Sequence, residues 1–190
     1  MILEEVNFFS GFFRHIESIF LEHFDKEETD TLMEFVEVLM DANFRCYRAN
    51  MLVIEERKKD FPSDKLISNL EWVARSVGEY RVSSKARINK FISNFYSKNE
   101  PKVSESIGTD DIIYSIGEMM DRLSIEAIKR EDFRINNRPI HMMKSCQDLS
   151  DRVEKYLIAK LEEVDEKGFY ECVHEQRTYD LEGIVKELVI

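Results

Sequence analysis

Asn43, Asn50 and Arg57 recur at intervals of seven along a segment whose apolar stripe is built by Leu32, Phe35, Val36, Leu39, Ala42, Cys46, Val53 and Ile54. Projected at 100° per residue, the three polar side chains fall inside that stripe. A polar group on a core-facing surface needs a partner, because unpaired burial costs about 1–3 kcal/mol. Asp121 presents the same anomaly: it stands among Tyr114, Ile125 and Ile128, opposite a main stripe of Ile112, Ile116, Met119, Met120, Leu123 and Ala127. Arg81 and Lys85 border the apolar face of a further segment and, with Arg57, are the cations that a buried carboxylate would pair with. Together these residues suit a small anionic, nucleotide-like ligand. Arg engages phosphate with two donors, Asn reads polar edges, and Asp121 orients an Arg or accepts from a base. They suit equally a role without a ligand, as a polar ladder that sets the register of packed helices.

Other patterns bear on catalysis. Glu118 and Asp121 form an ExxD pair on one helical face, as shared Mg²⁺ ligation requires, and so resemble one element of the all-α nucleotide pyrophosphohydrolases. Those enzymes add an ExxE helix. Here Glu55 and Glu56 lack a third acid at the needed place, and Glu34 with Glu37 falls on a solvent face. The resemblance implies a Mg-dependent hydrolase as one alternative; otherwise no cofactor is expected. Arg134 and His141, in RINNRPIH, resemble the R-x6-H motif of the HEPN ribonucleases, although Pro139 places this stretch in a connection between helices. His15 and His23 stand eight apart and Cys172-x-His174 stands alone, so neither approaches a zinc ligand set. No P-loop, GxGxxG or GxSxG occurs.

The run MMDRLSIEAIK, residues 119–129, resembles the D-(K/R)-L-(S/T)-I-x-x-(I/L)-K signature of a family of uncharacterised helical bacterial proteins, some encoded near polysaccharide biosynthesis genes. Similarity extends to DANFRCYRAN, through Asp41 to Asn43, and to KARIN at 85–89. Where such relatives favour an acidic residue about seven after that Asn, this chain has Asn50. The resemblance implies a helical fold, points at Asn43, Lys85, Asp121 and Lys129, and supplies no reaction.

The elements that must position these residues are helical. Apolar spacing near 3.6 predicts six helices at about 3–24, 28–59, 63–80, 83–98, 109–133 and 140–167. Asp25 to Glu28 reads as a capping box, Ser63 caps the third helix, and Thr109 or Asp110 opens the fifth. The polar stretch 99–108, NEPKVSESIG, is the internal linker of a bundle spanning 1–168. Residues 169–190 lose the helical period and form an irregular or hairpin C-terminal appendage, with a short helix from Leu181. With 6 Gly and 3 Pro in 190 residues, little material remains for the turns of a β-sandwich, so the predicted class is all-α, an elongated helical bundle.

Charge and composition narrow the partners. A net charge of −11 argues against duplex nucleic acid and against anionic membranes. Three scattered Cys, 46, 146 and 172, suit free thiols in a reducing compartment, and no stretch reads as a signal peptide or membrane span; a cytoplasmic protein is expected. The four Phe of VNFFSGFF are expected to pack on the bundle. Two apolar stripes on the fifth helix exceed what one neighbour covers and predict a homodimer through long helices. The expectation is therefore a non-catalytic binding protein that holds an anionic ligand through Asn43, Asn50, Arg57, Arg81, Lys85, Asp121 and Lys129. The alternatives are a protein-interaction module without ligand, or the Mg-dependent hydrolase using Glu118 and Asp121.

Overall fold

The computed structural model describes residues 9–96 and 115–167, the side chains of 163–167 excepted. Within them the chain forms five helices: α1 (Ser10–Phe20), α2 (Lys26–Arg57), α3 (Asp64–Tyr96), α4 (Ile116–Ile135) and α5 (Ile140–Lys167). No strand occurs among the described residues, and the fold is an all-α bundle. The linker expected at 99–108 and the C-terminal appendage at 169–190 lie outside the described residues.

Local chemistry explains most boundaries. Asp25 Oδ1 accepts from the backbone N–H of Glu27 and Glu28 at 2.9 and 3.0 Å, the expected cap of α2. Ser63 Oγ accepts from Leu66 N–H at 3.3 Å and opens α3. Ser115 Oγ accepts from Glu118 N–H at 3.2 Å and opens α4; the predicted start at Thr109 or Asp110 lies outside the described residues. Asn137, at φ 48°, makes the left-handed step between α4 and α5, which Asn tolerates better than most residues.

One boundary is corrected. The two helices predicted at 63–80 and 83–98 are a single 33-residue helix, α3. Residues 81–83 hold no breaker, and the Ser84 hydroxyl donates back to the Tyr80 carbonyl at 2.8 Å, which satisfies it inside a continuous helix. At 1.5 Å per residue, α2 and α3 each run for roughly 50 Å and pair as an antiparallel hairpin.

The core occupies one half of that hairpin. Ile16 and Phe20 of α1, Leu32 and Leu39 of α2, Ile88 and Ile92 of α3, Ile116 and Met120 of α4, and Leu157 and Leu161 of α5 form one buried cluster. Phe9 meets Phe44 edge to face at 5.9 Å, and Phe12 and Phe13 pack on the core, so the aromatic N-terminal segment is a packing element where it is described. The other half of the hairpin is thin: across residues 44–83 only Ala49, Val53 and Glu56 are buried.

Helix α4 is the central element, packed against α2, α3 and α5. Its buried residues include Ile116, Met119 and Leu123 on one side and Asp121, Ile128 and Lys129 on another. Of the second stripe read from sequence, Asp121 and Ile128 are buried and Ile125 is half-buried, while Tyr114 lies outside the described residues. No described helix is long and apolar enough to cross a membrane.

Candidate functional site

Asp121 is fully buried at the meeting point of α2, α3 and α4. Arg81, on α3, donates to it twice, from Nε to Oδ1 at 2.7 Å and from Nη2 to Oδ2 at 2.6 Å. This two-donor fork is the strong form of the Arg–carboxylate pair. Asn43, on α2, donates from Nδ2 to Asp121 Oδ1 at 2.9 Å and to Ser124 Oγ at 2.6 Å. Ser124 in turn donates its hydroxyl to the Asp121 carbonyl at 2.8 Å. Lys85 stands one turn along α3, with Nζ 3.8 Å from Asp121 Oδ2 and 3.6 Å from Glu118 Oε1. Two cations therefore face two carboxylates.

This balance fixes the protonation state of Asp121. Burial alone would raise its pKa, but the Arg81 fork, with Lys85 and Asn43 behind it, outweighs that and holds the carboxyl below the usual carboxylate range. An anion so held has no proton to donate near neutrality, and Arg81 occupies both of its oxygens. Its ion pair and hydrogen bonds join α4 to α2 and α3.

The backbone beside this cluster is equally close-fitted. Asn89 Oδ1 accepts from Gly117 N–H at 2.8 Å, and its Nδ2 donates to Ser115 Oγ at 3.1 Å, so a side chain of α3 completes the cap of α4. A Cβ on Gly117 would come 2.5 Å from the Lys85 carbonyl oxygen. Glycine is what lets α4 approach α3 closely enough for Arg81 to reach Asp121.

Of the residues selected from sequence, Asn43, Arg81, Lys85, Asp121 and Glu118 come together, and the others do not. Asn50 lies half-buried two turns beyond Asn43, its Nδ2 3.6 Å from Cys46 Sγ. Arg57 is exposed at the far end of α2 and pairs with Glu71 of α3 at 2.7 Å. The seven-residue column is real on the helix, but at 1.5 Å per residue it carries Arg57 about 21 Å from Asn43, out of reach of Asp121. Lys129 belongs to a second buried set, 3.3 Å from Glu126, which also meets Arg122 at 3.1 Å.

Ser124, Gly117 and Glu126 were not singled out by the sequence reading. The first lies three residues after Asp121 and could have been found as a helical neighbour; the role of Gly117 depends on how close α3 comes, which no local pattern records. Among the described residues no group of three or more His, Cys, Asp or Glu side chains is arranged to hold a metal ion. Arg134 closes α4 in a pair with Glu131 at 2.6 Å, and His141 lies exposed in the first turn of α5.

Fold and site together define a class: an all-α bundle with an ion-paired polar network inside it. Comparison with protein-family models, with curated proteins and with solved structures returned no significant match.

Proposed function

We propose that the protein is a cytoplasmic protein-interaction module, in which the Asp121 network locks the register of α2, α3 and α4 and the thin half of the α2–α3 hairpin presents an apolar surface to a protein partner. The observation that carries this reading is the exposure of Leu52, Leu66, Trp72, Val73 and Tyr80 on an arm whose own interior is sparse. Side chains of this size in such numbers are what buried interface cores use. The network supports the same reading, since its carboxylate is already saturated by groups of the chain itself.

A second reading rests on Lys85. Its ammonium sits beyond hydrogen-bonding distance of either carboxylate, and Lys85 and Arg81 keep 13 and 16 % of their side-chain surface exposed. Those edges suit a small anionic, nucleotide-like ligand. Native mass spectrometry of the chain purified from cells separates the two. Complexes containing protein alone and lost on Val73→Asp are the expected result. A stoichiometric small anion released on denaturation overturns the module in favour of the ligand site.

A further inference from the structure

Two columns of side chains run side by side along the arm of α3. Lys65, Trp72 and Glu79 form one, and Leu66, Val73 and Tyr80 form the other; each repeats every seven residues, which on an α-helix keeps a column within about 20° per step. All six are exposed: Trp72 at 67 %, Tyr80 at 68 %, Leu66 at 43 % and Val73 at 38 %. Leu70, Val77 and Ser84 lie on the side turned toward the rest of the chain and are partly or fully buried. The Leu66–Val73–Tyr80 column therefore borders the buried side, whereas the Lys65–Trp72–Glu79 column faces away from α2, and together they leave an outward face that a further helix would cover.

The order of residues within the columns selects the occupant. Lys65 and Glu79 stand symmetrically about Trp72, as Leu66 and Tyr80 stand about Val73. A second copy laid antiparallel on this face, with the two-fold axis between Trp72 and Val73, brings Lys65 within one residue's rise of Glu79 and Leu66 within one residue's rise of Tyr80, each twice. A parallel copy would set Lys65 on Lys65 and Glu79 on Glu79. Neither Lys65 nor Glu79 makes an ion pair among the described residues, so both remain available to a partner. This is the pattern of an isologous interface, in which one patch must be complementary to itself.

Deepening the interaction-module reading, on which it rests, we propose that the partner of this face is a second copy of the chain, paired antiparallel through α3 with its two-fold axis between Trp72 and Val73. The two columns span about 22 Å of helix from each copy, a small interface of the size, under about 1,200 Å², at which weak association lies. The dimer is accordingly expected to be concentration-dependent.

Sedimentation equilibrium of the full chain between about 1 and 100 µM tests this, with emission from Trp72, the sole tryptophan, as a second readout. A monomer–dimer equilibrium is expected, with the emission shifting blue as dimer forms. Lys65→Glu and Glu79→Lys should each weaken dimerisation roughly tenfold by placing like charges face to face, and the double variant should restore it. Both positions are exposed, so circular dichroism should be unchanged in all three variants. A monomer at the highest concentration, a dimer indifferent to Val73→Asp, or charge reversals without rescue overturns the pairing. Blue-shifted emission at monomer mass also overturns it, by showing that another part of the chain covers the face. If the pairing fails while a different protein occupies the Trp72 face, the module reading stands without it. If the pairing holds but native complexes release a stoichiometric anion, the module reading falls and the dimer stands.

Discussion

Arg81 reaches across from α3 to hold both carboxylate oxygens of Asp121 on α4, at 2.7 and 2.6 Å, in a site from which Asp121 is wholly hidden from solvent. A pair of this kind is costly to break from one side, because the abandoned charge stays buried. Arg81→Met should therefore destabilise the fold by about 3 kcal/mol in urea unfolding. Arg81→Met combined with Asp121→Leu should recover part of that loss, since the orphaned charge is gone. A single variant as stable as the wild type would show that the pair does not fasten α3 to α4.

The lowered pKa of Asp121 makes stability depend on acid. The carboxyl is ionised in the fold to a lower pH than in the unfolded chain, where its pKa is about 3.9. Its contribution is present above that unfolded value and is lost as pH falls through the folded one, because the unfolded chain then takes up a proton that the fold excludes. Thermal melts of the wild type should thus fall away between about pH 5 and pH 2 more steeply than those of Asp121→Asn. Parallel curves would remove Asp121 as a source of acid lability.

Gly117→Ala tests the close approach of α3 and α4. Alanine favours an isolated helix by about 1 kcal/mol over glycine, so propensity alone predicts a more stable protein. The added Cβ would lie 2.5 Å from the Lys85 carbonyl oxygen and 3.0 Å from Asn89 Oδ1, and the first of these is backbone. A net loss of about 1–3 kcal/mol is expected from chemical denaturation. A stabilised variant would mean that the two helices part without penalty.

Arg57→Met should behave in the opposite way. Its pair with Glu71 spans the arm at 2.7 Å, but both side chains are about half exposed or more. Such pairs contribute little, so the melting temperature should move by less than about 2 °C. A larger fall would make the arm's end a part of the cooperative core.

Much of the helical fold was legible in the sequence. The spacing of apolar residues, the Asp25 cap, the Ser63 cap and the shortage of Gly and Pro each act within a few residues, where sequence and structure share the same period. The place where two helices were expected and one formed, at 81–83, marks the limit of local reading. A serine that could cap there instead bonds back along a continuous helix, because α3 is held against α2 on both sides of it.

The candidate site divides along the same line. That Asn43 and Asp121 would need polar partners followed from their positions in apolar stripes, and both are buried and paired. Which residues would meet them did not follow: Arg57 shares the column of Asn43 yet ends in solvent, whereas Arg81 meets Asp121 across a helix pair separated by 40 residues of sequence. A one-dimensional period records the face on which a residue lies. The distance at which another helix passes is decided by packing, here by a glycine at 117 that admits the backbone of Lys85, and only the folded chain expresses it.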